Sequence, residues 1–287
     1  MGPLLLHGRA EGHCMLHRLG GALRLDSPLH AASTTVQYRE APRGACPRVE
    51  LWPHDAAAGS HPPLALGHQS SPSSPCPATA DDGAGTYAAP RLAAVVLALD
   101  QHERLLLTRR PRGMRTFPGA WVLPGGSVDD ADASVRHAAL RELCEETGIA
   151  LPPEEAPERP FCLWESCYPT SALEWRQTRE QRGRTSHFLI VYFVVRVADS
   201  SRALRLQPDE CDRAAWVPLA DVACIGKEAR GDQLYPLAPP AQGHVSAHSL
   251  DGVYPNDIGE GVGRGHLWAI RQLREHLLHS KMEDDSS

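Results

Sequence analysis

Residues 123–149 constrain this chain more than any other stretch. They read Leu-Pro-Gly-Gly-Ser-Val-Asp-Asp, then Ala-Asp-Ala-Ser-Val-Arg-His-Ala-Ala-Leu, then Arg-Glu-Leu-Cys-Glu-Glu-Thr-Gly-Ile. A glycine turn leads into a helix, expected over residues 133–147, that ends in a dense acidic cluster. Asp130 or Asp132 stands where an N-cap is expected. Glu142, Glu145 and Glu146 are spaced i, i+3, i+4, which places three carboxylates on one helical face. Carboxylates so close repel one another at neutral pH, and a hard cation is their natural neutraliser. The opposite face, with Leu140, Leu143, Cys144 and Thr147, suits burial against a sheet. Gly148 follows where a helix end favours a residue that tolerates positive φ.

This stretch resembles the Nudix box. That pattern runs Gly, five residues, Glu, seven residues, then Arg-Glu-aliphatic-any-Glu-Glu-any-Gly-aliphatic. Its second half is met in full by Arg141-Glu142-Leu143-Cys144-Glu145-Glu146-Thr147-Gly148-Ile149. Its first half is not: Ala133 fills the Glu slot and Ser127 the Gly slot. Asp132, Gly125 and Gly126 lie beside those slots, as a one-residue insertion in the turn would leave them.

The resemblance implies an α/β fold, the Nudix α/β/α sandwich with a mixed β-sheet. It also implies hydrolysis of a nucleoside diphosphate linked to another moiety, with Mg²⁺ or Mn²⁺ as cofactor. Carried over residue by residue, it makes Glu142, Glu145 and Glu146 metal ligands, with the Gly126 carbonyl as an extra one. Either Glu142 or Glu145 would act as base, and Arg141 would orient a neighbouring glutamate. A further carboxylate outside the box is expected, with Glu165 first and Glu210 second.

The totals narrow the alternatives. The chain has 287 residues with 42% hydrophobic content, enough for a sizeable core. Its net charge of −6 gives no global basic field for nucleic acid. Lys227 and Lys281 are the lysines among 29 basic residues; the rest are arginine. The 8 cysteines form no Cys-x-x-Cys pair, which argues against a zinc site, and no secretory pattern precedes them. They read as reduced thiols of an intracellular protein, cytoplasmic, with organellar targeting by the N-terminus as the alternative. No apolar run reaches the length of a membrane span.

Along the chain, residues 1–55 read as an accessory region or targeting segment. Alternation at residues 35–38 and 49–52 suggests two strands there. Residues 56–90, rich in Ser, Pro, Gly and Ala, read as a low-complexity linker. The Nudix-like domain is expected over residues 91–280, and residues 281–287 as a disordered acidic tail. The continuous apolar run 93–99 predicts a strand buried on both faces, and 104–108 its hairpin partner. Further strands are expected over 121–123, 161–168, 187–197 and 215–219, a short helix over 220–225, and a terminal amphipathic helix over 265–279. Residues 230–257 read as loop.

Arg109 and Arg110 are candidates to meet substrate phosphates, as guanidinium offers paired donors. Trp164 or Tyr168 is a candidate to stack on a base. Arg176, Arg179, Arg182 and Arg184 form a local basic patch beside Trp175, suited to a polyphosphate or RNA backbone.

Within the family, the chain looks most like the nucleoside diphosphate-linked moiety X motif 17 branch. The likeness rests on Leu106-Leu107-Thr108-Arg109-Arg110, Leu163-Trp164-Glu165-Ser166 with Tyr168-Pro169, and the strand from His187. The expected partner is a nucleotide-containing small molecule or a capped RNA end, processed by mRNA decapping, with coenzyme A or ADP-ribose cleavage as the alternative. A non-catalytic nucleotide sensor or an RNA-binding adaptor forms the competing class. Loss of the acidic trio would mark a sensor, and the trio is whole.

Overall fold

The computed structural model describes residues 4–6, 24–26, 31–41, 48–53, 63–68, 90–168, 186–225, 234–246, 250, 253–254 and 261–284. Its strands in chain order are β1 (Leu4–Leu6), β2 (Arg24–Asp26), β3 (Ala31–Ala41), β4 (Arg48–Pro53), β5 (Leu64–His68), β6 (Arg91–Asp100), β7 (Arg104–Arg109) and β8 (Trp121–Val122). They continue as β9 (Gly125–Ser127), β10 (Cys162–Tyr168), β11 (Ser186–Val197), β12 (Arg213–Pro218), β13 (Leu234–Pro236), β14 (His244–Ser246), β15 (Val253–Tyr254) and β16 (Val262–Gly263). The helices are α1 (Val135–Thr147), α2 (Leu219–Ala223) and α3 (Arg264–Asp284). The chain divides into two compact units. One joins Met1–Ala94, Gly126–Ala138 and Arg159–Tyr192, the other Val95–Gly125, Ala139–Glu158 and Phe193–Ser287.

In the first unit the β-branched and apolar strands pair into a mixed ladder. β4 and β5 flank β3 in antiparallel register, with Tyr38 opposite Leu51 and Thr34 opposite Leu66. β5 then runs parallel to β10, and β10 antiparallel to β11, so that Leu66, Leu163 and Val191 line up across three strands. All three are fully buried, as are Val36, Val49, Leu51 and Leu189. Removing such side chains from water is the main favourable contribution to this ladder.

In the second unit β7 carries antiparallel partners on both sides, β12 and β8. The parallel pairs β8–β16 and β15–β16 extend it. Leu105, Leu106 and Leu107 of β7 are fully buried, as are Val96 to Leu99 of β6. This matches a continuous apolar run that has no solvent-facing side. The β6–β7 turn is locked by Asp100. Its Oδ1 accepts the N–H groups of His102 at 2.9 Å and Arg104 at 2.8 Å, while Oδ2 accepts Ser200 Oγ at 2.8 Å. Helix α3 buries Leu267, Trp268, Ile270 and Leu273. No helix among the described residues is long and apolar enough to cross a membrane.

Four segments differ from the sequence reading. Leu64–His68, inside the stretch read as linker, is strand β5, with Leu66 and His68 fully buried. Composition averaged over the Ser- and Pro-rich surroundings hides a five-residue strand with Leu64, Ala65 and Leu66 at its start. Helix α1 begins at Val135, two residues late, because Ser134 is its N-cap: Ser134 Oγ accepts the His137 N–H at 2.9 Å. Asp132 is instead committed to the preceding turn, accepting the Asp129 N–H at 2.8 Å and meeting His137 Nδ1 at 3.1 Å. Residues 230–257 contain β13, β14 and β15. Helix α3 continues to Asp284, into the stretch read as a disordered tail, where Lys281 pairs with Glu103 at 2.6 Å. The arginines at 176, 179, 182 and 184 and Trp175 lie outside the described residues.

Candidate metal centre

Helix α1 turns about 100° per residue. Glu146 therefore stands about 40° to one side of Glu142 and Glu145 about 60° to the other, roughly 100° from Glu146. The structure resolves the acidic trio along that divide. Glu142 and Glu146 are buried, at 8% and 5% exposure. The Glu145 side chain is 51% exposed and is held outward by Arg141, whose Nη1 donates to Glu145 Oε2 and Glu142 Oε1, each at 2.9 Å. Glu145 is thus not brought to the cluster as a third ligand. The third carboxylate is Glu210: one oxygen each from Glu142, Glu146 and Glu210 lies within 4.8 Å of the others.

Glu210 reaches the helix because the turn before β12 caps it. The last carbonyls of a helix lack partners within the helix itself. Here the Glu146 carbonyl accepts the Gln207 N–H at 3.2 Å and Cys211 Sγ–H at 3.0 Å, and the Thr147 carbonyl accepts the Arg205 N–H at 2.9 Å. Gly148 has φ of 75°, and a Cβ on it would stand 3.0 Å from Arg205 Cβ. Glycine thus both supplies the left-handed residue and leaves room for the capping turn. Arg109 fixes the other side of the turn, gripping Asp212 through Nε at 2.8 Å and Nη2 at 2.7 Å.

Burial pushes the Glu146 carboxyl up to about 8. The charges of Glu142 and Glu210 add to this, and a hydrogen bond from the Gly125 N–H and the Arg110 guanidinium only partly offset it. Burial raises Glu142 as well, against the opposing pull of Arg141. Glu146 Oε2 is buried without a hydrogen-bond partner among the described residues. An orphaned buried carboxylate oxygen facing two further carboxylates is a donor set that fits a hard divalent cation.

The other sequence candidates have different surroundings. Glu165 is fully buried in the first unit, its oxygens 3.0 Å from His68 Nε2 and 2.8 Å from His187 Nε2. Burial alone would raise its carboxyl, but the two histidines outweigh that and hold it well below the usual carboxylate range. It is a core ion-pair residue rather than a substrate contact. Trp164 is 2% exposed in the core, which corrects its reading as a stacking platform. The paired donors of Arg109 are spent on Asp212 rather than left for substrate. Arg110 donates through Nε to the Thr116 carbonyl at 3.1 Å while its charge acts on Glu146. Gly126 is the half-buried middle residue of β9. His68 escaped the sequence reading altogether, because it lies in the stretch read as linker.

The NUDIX domain model matches residues 89–238, just over half of the chain. The m7GpppN-mRNA hydrolase NUDT17 of Danio rerio is 34% identical over 142 residues, covering 48% of this chain and 45% of the relative. The protein of the same name in Homo sapiens is 31% identical over 152 residues, covering 52% of this chain and 44% of the relative. The chain thus matches less than half the length of either. The solved MutT NUDIX hydrolase of Burkholderia pseudomallei shares 25% identity, covering 46% of this chain and 86% of that one, with a TM-score of 0.34. The box helix with its buried carboxylates lies inside the matched segment, within an α/β fold whose sheet is mixed, and the chain belongs to the Nudix family.

Proposed function

We propose that this protein is a metal-dependent pyrophosphohydrolase that cleaves a nucleoside diphosphate linked to another moiety, with a methylguanosine-capped RNA end as the first substrate to test. The observation that carries this reading is the meeting of Glu142, Glu146 and Glu210 within 4.8 Å. The names of the relatives support the choice of capped RNA.

In this reading Glu142, Glu146 and Glu210 hold Mg²⁺ or Mn²⁺. When bound, such a cation supplies charge neutralisation on phosphate oxygens and a more acidic water. Arg141, bridging Glu142 and Glu145, fixes the rotamers of both. Glu145, half-exposed and outside the cluster, takes the proton from the attacking water. Arg110, whose charge already acts on Glu146, would meet the phosphates that leave.

The test incubates the protein with Mg²⁺ or Mn²⁺ and capped RNA, coenzyme A, ADP-ribose or a dinucleoside polyphosphate. Release of a methylguanosine diphosphate from capped RNA, lost in EDTA, is the expected result. Glu145→Gln should lower turnover by roughly 10²–10⁴-fold without unfolding the protein. An unchanged rate removes Glu145 from this role, and no cleavage of any substrate overturns the enzymatic reading in favour of a nucleotide sensor.

A further inference from the structure

Helix α1 carries no acidic residue in its first turn. It opens instead with Val135, Arg136 and His137, two of which are basic types at the end where the helix dipole is positive. The family pattern places a glutamate just before this point, and Ala133 stands there in its place. A carboxylate is nevertheless present. Glu40, on β3, accepts the Val135 N–H through Oε1 at 2.8 Å. Burial raises the Glu40 carboxyl, while the Val135 N–H and the charge of Arg136 pull it back down. β3 lies outside the segment that the family model matches.

β3 is itself held by a chain of register. Ala32 to Val36 pair with Leu64 to His68 of β5, and β5 pairs in turn with Cys162 to Glu165 of β10. His68 and Glu165 close that second pairing at 3.0 Å with no exposure of either side chain. His187 of β11 grips the other Glu165 oxygen. The position of Glu40 is thus fixed across four strands.

We propose that Glu40 is a positioning residue for the acidic cluster, acting through helix α1 and resting on the metal-site reading above. Its carboxylate satisfies one of the N–H groups that the first turn cannot pair internally and offsets the basic residues there. Glu142 lies seven residues further along the same helix, about 10 Å along its axis. A fray or tilt at the start of α1 therefore shifts Glu142 and Glu146 against Glu210, which a separate turn holds.

The experiment uses the full chain and three variants, Glu40→Ala, Glu40→Gln and Glu146→Gln. Mn²⁺ binding is followed by electron paramagnetic resonance, and amide exchange is measured over residues 135–137. Glu40→Ala should speed exchange of the Val135 amide and weaken Mn²⁺ binding roughly fivefold, while Glu40→Gln, which keeps an acceptor oxygen, stays within about twofold of the parent. If Glu40→Ala merely melts earlier while Mn²⁺ affinity and Val135 exchange are unchanged, the positioning role is refuted and the metal reading stands. If the parent binds no Mn²⁺, or Glu146→Gln binds it equally well, the metal reading falls and this one with it.

Discussion

Replacing Glu146 with glutamine should stabilise the metal-free protein at alkaline pH. The Glu146 carboxyl has an ordinary value of 4.5 and is raised to about 8 in the fold. A carboxyl raised on folding contributes stability that is fully present below about pH 4.5 and is lost as pH rises through about 8. Each tenfold change in proton affinity corresponds to about 1.4 kcal/mol, so the ceiling is roughly 5 kcal/mol. Part of that belongs jointly to the Glu142 and Glu210 charges, leaving on the order of 3 kcal/mol for Glu146 itself. Solvent screening removes little, because the residue is 5% exposed. Glutamine has the shape of the protonated acid and no charge to lose. Thermal melts in EDTA from pH 5 to 9 should therefore show the parent falling away from Glu146→Gln by roughly 5–10 °C at the alkaline end, with the two alike near pH 5. Added Mn²⁺ should restore the parent at pH 9 and leave the variant unmoved. Parallel melts of the two proteins across the whole range would refute the reasoning, since pH effects elsewhere in the chain cancel in the comparison.

Two other substitutions test how the surroundings are held. His68→Ala leaves the buried Glu165 carboxylate with one partner fewer and should cost about 3 kcal/mol or more in urea denaturation at pH 7. Because Glu165 is held below its ordinary range, its contribution is present above about pH 4.5 and fades as acid is added, so the variant and parent should converge at low pH. Gly148→Ala forces a side chain into φ of 75° with Arg205 Cβ at 3.0 Å, and should cost about 1–2 kcal/mol while weakening Mn²⁺ binding through the displaced Glu210 turn. Equal stability to the parent would show that the turn adapts freely.

Local patterns in the sequence were legible wherever one residue's neighbours decide its conformation. The run from Ala93 to Leu99 reads as a doubly buried strand, and all of it after Ala93 is buried. Gly148 reads as a left-handed helix terminus and has that φ. What spacing could not separate was Glu145 from Glu146. Both lie within one turn of Glu142, and the choice depends on which side of the helix meets a partner carboxylate. That partner, Glu210, is 64 residues beyond Glu146, and nothing in the helix pattern points to it. The surroundings of Glu165 were hidden for the same reason. An acid in a strand reads as available until its cross-strand neighbours are known, and here Leu189 opposite it and His68 beside it close the position.

The two ends of helix α1 show how a short motif comes to depend on distant chain. The acidic half of the box encodes its own helix, but neither end is completed by the motif. The C-terminal carbonyls are satisfied by Arg205, Gln207 and Cys211, and one N-terminal amide by Glu40. Each partner does local work as a cap. The turn that caps the C-terminus also delivers Glu210 to the cluster, while the strand that caps the N-terminus supplies a carboxylate at the start of a helix whose motif Glu slot holds Ala133. A departure from the family pattern at the helix start therefore need not weaken the centre. The carboxylate at the helix start comes instead from a strand nearly one hundred residues earlier, and only the folded ladder brings it there.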